Sequence, residues 1–80
     1  MGSDKQITAY PNPAIEKTTV SGITAGNIIR LLDITGRIIS TQTATGNSLD
    51  IRLSGLSSET YTIQVLDNNT LSATIKLIKQ

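Results

Sequence analysis

Apolar and polar residues alternate along this chain in short runs. The clearest is Leu49-Asp50-Ile51-Arg52-Leu53, which sends three aliphatic side chains to one face and two charges to the other. A period of two is that of a strand with one buried side. Tyr61, Ile63 and Val65 alternate in the same way with Thr60, Thr62 and Gln64. After a turn at Asp67-Asn68-Asn69, Leu71, Ala73, Ile75 and Leu77 alternate with Ser72, Thr74, Lys76 and Ile78. Further runs at residues 6–10, 17–20, 27–33 and 37–43, with the one at 48–53, bring the predicted strands to seven, each bounded by turn-forming residues. No stretch carries a useful stripe of period 3.6, so no helix is expected.

The runs at 27–33 and 37–43 are joined by Ile34-Thr35-Gly36, where Gly36 supplies the positive φ of a bulged hairpin. Asp33 can accept hydrogen bonds from the turn amides and pair with Arg37 across it. One-sided strands in this number must bury their apolar faces against each other. The expected fold is therefore all-β, an immunoglobulin-like β-sandwich of about seven antiparallel strands. Tyr61 is expected to pack its ring inside and send its hydroxyl to a nearby backbone carbonyl, as in a tyrosine corner. The segment Ala9-Tyr10-Pro11-Asn12-Pro13-Ala14 interrupts the pattern, because each proline lacks an N–H and Pro13 drives Asn12 into an extended conformation. It reads as a stiff corner, unable to pair across a sheet, by which the first strand leaves one sheet and the second enters the other.

Composition sharpens this picture mostly by exclusion. Of 80 residues, 12 are Ile, 12 Thr and 2 Val, so 26 are β-branched and suited to a pleated surface. A domain of this size buries only ~60% of its unfolded surface, and without Cys it has no disulfide to help. The lack of His and Cys removes the usual nucleophile, base and zinc chemistries, and the carboxylates are dispersed, so no enzyme, cofactor or metal site is expected. Asp67-Asn68-Asn69 offers oxygens but no calcium cage. A net charge of +1 with scattered Lys and Arg points away from nucleic acid. Two Tyr, with neither Trp nor Phe, give little for a sugar to stack on. No apolar run approaches the ~18 residues of a spanning helix, and the first residues do not form a signal peptide. Met1, Gly2 and Ser3 read as a cloning remnant, leaving residues 4–80 as the domain, a fragment of a larger protein whose export signal lies elsewhere.

Four motifs, in order, carry a resemblance: Tyr10-Pro11-Asn12-Pro13; Asp33 with Gly36-Arg37; Gly55-Leu56 followed by Tyr61; and Lys76 to Lys79 near the end. Together they resemble the C-terminal sorting domain of cargo proteins of the type IX secretion system, over residues 9–80. The resemblance implies a non-catalytic address. The cargo passes through the periplasm, the outer-membrane translocon reads the domain, and a sortase-like peptidase typically cuts upstream of it, leaving the cargo on the outer-membrane surface or secreted. It implies no small-molecule substrate and no membrane insertion by the domain itself. The sequence closes at Gln80, and the resemblance leads to the expectation that the signal is read at the natural chain end. Where the family usually has glycine this chain has Glu59, which is expected to shift the tightest turn toward Ser57-Ser58.

For recognition, Ile28, Leu32, Ile38, Leu66 and Ile78 fall on nominally outer faces, and a contiguous patch of them would mark an interaction site. The last strand is the sharper candidate. If it lies at a sheet edge, Ile75, Lys76, Leu77, Ile78, Lys79 and Gln80 offer free backbone groups for strand addition, with the two lysines giving direction or merely guarding the edge. The alternative reading is a fibronectin type III-like spacer or adhesion module of an extracellular protein, whose strand before the tyrosine corner also resembles the sequence from Gly55 to Val65.

Overall fold

The structure, a computed structural model, describes residues 6–80, so the expected remnant at residues 1–3 and the domain start at residue 4 lie outside the described residues. Seven strands form and, among the described residues, no helix: β1 (Thr8–Tyr10), β2 (Lys17–Ser21), β3 (Ile28–Leu32), β4 (Ile38–Thr43), β5 (Ser48–Arg52), β6 (Thr60–Asp67) and β7 (Thr70–Ile78). All strand pairs are antiparallel, in one sheet ordered β1-β2-β5 and a second ordered β4-β3-β6-β7. This is the two-layer sandwich that the alternation requires.

The core lies between the sheets. Val20 from β2 and Ile51 from β5 face Ile29 and Leu31 from β3, Tyr61, Ile63 and Val65 from β6, and Leu77 from β7, all buried. Each such aliphatic side chain, fully withdrawn from water, favours folding by about 1.5–3 kcal/mol, a large contribution in a chain without other staples. Leu53, just past β5, is also sealed, and its N–H donates to the Glu16 carbonyl at 2.7 Å, which extends the β2–β5 ladder. At the β6–β7 hairpin the turn residues Asn68 and Asn69 have φ of 53° and 64°, the left-handed conformation that asparagine tolerates.

Two expectations need correction. The proline corner does not pass the chain from one sheet to the other, since β1 and β2 are neighbours in the three-stranded sheet. Between them, residues 11–15 make an excursion to the second sheet, where Ala14 forms a parallel bridge with Lys79. The segment does pair, through atoms that the prolines leave free. The second correction concerns Leu71, expected inside but 53% exposed. β7 carries an additional residue here: Ala73 lies opposite Val65 and Leu71 opposite Leu66, with Ser72 bulged between them. Directly opposed residues point to the same side of a sheet, so the bulge turns Leu71 outward beside Leu66.

Candidate recognition site

The two ends of the sequence meet along the outer rim of β7. Pro11 and Pro13 have no N–H to offer, but Asn12 between them carries a primary amide, which has both a donor and an acceptor. Its Nδ2 donates to the Lys76 carbonyl at 2.8 Å, and its Oδ1 accepts from the Ile78 N–H at 3.0 Å. One side chain thus takes the place of a strand residue. The backbone continues the pairing, with the Ala14 N–H donating to the Ile78 carbonyl and the Gln80 N–H to the Ala14 carbonyl, both at 2.8 Å. Ala14 is completely buried, since a larger side chain would separate the two segments. On the other flank the Thr18 hydroxyl, pointing into the core from β2, donates to the Pro11 carbonyl at 3.0 Å, so this polar group is buried without penalty. Outside the latch, Pro11, Pro13, Ile15, Glu16, Lys17 and Gln80 line an open depression of ≈ 450 Å³, with Ile15 63% exposed.

A second cluster forms where the β3–β4 hairpin meets the approach to β6. Asp33 Oδ1 accepts from the Thr35 hydroxyl at 2.6 Å, the Thr35 N–H at 2.9 Å and the Arg37 N–H at 3.0 Å, while its Oδ2 lies 3.3 Å from Arg37 Nε. These donors, the Thr35 hydroxyl first and the Arg37 amide next, hold the carboxyl below the usual carboxylate range. Gly36, at φ +91°, makes the turn possible. Across a small depression of ≈ 210 Å³, Gly55, Leu56, Ser57, Glu59 and Tyr61 form the facing wall. The Tyr61 hydroxyl donates to the Ser57 carbonyl at 2.7 Å, closing the tyrosine corner. Burial, then the Glu59 and Asp33 charges, push this phenol up from its ordinary value. The left-handed residue is Gly55, at φ +84°, with the Leu56 N–H donating to the Leu53 carbonyl, so the expected shift of the turn to Ser57-Ser58 does not occur. Glu59 does not take the left-handed conformation, and its carbonyl accepts the Lys79 N–H at 3.0 Å, a backbone role that does not require glycine.

The family model of the secretion system C-terminal sorting domain matches residues 8–80. The chain belongs to that family. Its role is that of a C-terminal sorting signal for type IX secretion, which implies transit to the outer-membrane surface or release, and the family is not catalytic in itself. A search of curated proteins finds no match. Among solved structures, the chain superposes with a TM-score of 0.83 on part of PorZ, described as an essential bacterial surface component of the type-IX secretion system of Porphyromonas gingivalis. The two are 23% identical, and the superposition covers 92% of this chain but 11% of that one, so the likeness concerns the fold of one domain.

All four motifs of the sorting domain contribute to these two clusters. Pro11, Asn12 and Pro13 lie at the latch with Lys76 and Lys79, whereas Asp33, Gly36 and Arg37 lie at the corner with Gly55, Leu56 and Tyr61; Tyr10 itself ends β1, exposed, beside a separate depression lined by Ser21, Gly22 and Asn47. Of the six closing residues, Leu77 is buried and Ile75 packs against the core, Lys79 is half-buried, and Lys76, Ile78 and Gln80 are exposed. β7 is an edge strand, yet strand addition along residues 76–80 meets a rim that is mostly taken, because Asn12 and Ala14 already hold the Lys76 and Ile78 carbonyls and the Ile78 and Gln80 amides. By alternation the open rim lies around Thr74, where no strand among the described residues pairs. Thr18 and Ala14 are site residues that the apolar pattern passes over, one being polar and the other small. Proline spacing around an amide was the available signal.

Proposed function

We propose that the sorting domain reaches the outer-membrane translocon from the periplasm already folded, performs no catalysis, and is read at the closing strand through Ile75, Lys76, Leu77, Ile78, Lys79 and Gln80. In this reading Ile75 and Leu77 anchor the strand from inside, and the exposed Lys76, Ile78 and Gln80 make the contacts. A sortase-like peptidase then acts upstream of the domain. One observation carries the reading: the Asn12 amide clamps Lys76 and Ile78, so these side chains are displayed on a fixed backbone and not on a fraying end. Side-chain readout replaces strand addition, since most of the outward backbone groups are occupied.

The test fuses the chain to the C-terminus of a periplasmic reporter in a type IX-competent host. Secretion of the reporter is expected, and Lys76→Glu together with Ile78→Asp should abolish it while leaving the thermal unfolding of the domain in place. Periplasmic retention of the unaltered fusion, with the translocon active, would return the chain to the fibronectin type III-like spacer reading. Unchanged secretion of the double variant would remove the closing strand as the contact surface.

A further inference from the structure

The outward faces of the two sheets handle charge differently. On the three-stranded sheet, Lys17 Nζ lies 3.2 Å from Asp50 Oδ2, and Asp50 Oδ1 also accepts from the Thr19 hydroxyl at 2.8 Å. Those two charges answer each other locally, and Arg52, opposite Lys17, lies exposed to water, whereas a cation set among apolar neighbours does not. On the four-stranded sheet, register places Arg30 of β3 between Thr41 of β4 and Gln64 of β6, near the middle of the face. Arg30 is half-buried, and among the described residues it has neither an ion pair nor a side-chain hydrogen bond. Two apolar pairs flank its row. Ile28 lies directly opposite Leu66, which the β7 bulge extends to Leu71, and Leu32 lies opposite Ile38.

A guanidinium with five unmet donors between two aliphatic pairs is the composition of an interface centre, where arginine is enriched and charge is otherwise sparse. We propose that this face docks a folded protein surface that sets a carboxylate against Arg30 and apolar side chains against the flanking pairs. Charge selects this occupant over a second copy of the chain. Face-to-face packing of two copies would oppose Arg30 and Lys76 to their own kind, with no carboxylate among the described residues of the face to intervene. Size agrees, since four strands at ~4.8 Å spacing present on the order of 500 Å² here, below the ~800 Å² per partner of a stable complex and suited to a transient one. An anionic bilayer is also a poor fit, because polybasic attachment takes roughly four to eight cations and the described residues of this face supply two, Arg30 and Lys76.

The inference rests on the sorting role and is tested beside it. The chain is fused to the same periplasmic reporter, and Arg30→Glu is compared with Arg52→Glu, an exposed arginine of the three-stranded sheet. Arg30→Glu is expected to lower the secreted fraction about tenfold, as reversal of an interfacial charge does, with Arg52→Glu near the unaltered level. Should Arg30→Glu fail to fold, Arg30→Gln, which removes the charge without reversing it, is expected to give a smaller drop in the same direction. Secretion of a folded Arg30 variant at the unaltered level overturns the proposal while leaving the sorting role intact. Failure of the unaltered fusion to leave the periplasm defeats both. Arg30-dependent binding to vesicles of equal parts phosphatidylglycerol and phosphatidylcholine would replace the protein partner with a membrane surface and so also overturn it.

Discussion

Leu77 and Leu71 are the same residue type on the same strand, and one is sealed while the other is more than half exposed. Around Leu77, β7 has a neighbour on each side, β6 through the Tyr61 pairing and the Asn12–Ala14 segment through the latch. Around Leu71 it has β6 alone, and the Ser72 bulge has turned the side chain away from the opposite sheet. Burial here follows from register and coverage, since hydrophobicity is held constant. The latched end belongs to the cooperative core, and the tip end tolerates change.

The largest break in that comparison comes from Leu77→Ala, which removes a fully buried side chain and should cost about 2–5 kcal/mol in urea unfolding, most of what a domain this small possesses. Asn12→Ala comes next. It hands the Lys76 carbonyl and the Ile78 amide back to water, losing about 0.5–1.5 kcal/mol for each of the two bonds, and amide exchange should quicken at Ile78 while Thr74, already on the open rim, is unaffected.

Tyr61→Phe keeps the ring and drops the hydrogen bond to Ser57, for about 1 kcal/mol near neutral pH. Its pH dependence is a further check. A phenol whose folded value is raised binds its proton more tightly in the folded state, so its stabilisation is complete below the ordinary tyrosine value of about 10 and is lost as pH rises through the folded one. The Phe variant should lack that alkaline decline. Smallest of all is Leu71→Ser, expected to stay within about 0.5 kcal/mol of the parent, and a loss matching that of Leu77→Ala would show the two ends to be alike after all.

Much of this architecture is visible in the residue order, because it depends on neighbours. The alternation at 49–53 and 60–65, the Asp33–Arg37 hairpin and the Tyr61 hydroxyl are all decided within a few positions, and the structure has them as expected. What depends on distant register was not legible. Period two assigns Leu71 to the core, and only its pairing with Leu66 reveals the bulge. Thr18 looks like a solvent residue until the Pro11 carbonyl arrives to accept its hydroxyl. The prolines correctly announced an interruption, yet the partner of Asn12 lies 64 to 66 positions further along, beyond the reach of any local rule.

That separation has a kinetic corollary. Joining Asn12 to Lys76 and Ile78 closes nearly the whole chain into one loop, and loops of such span bear their entropy before any contact rewards them. The clasp is therefore expected to close late, once the hairpins have condensed, so that a domain stalled half-assembled leaves it undone. Whatever inspects this junction is inspecting whether folding has finished.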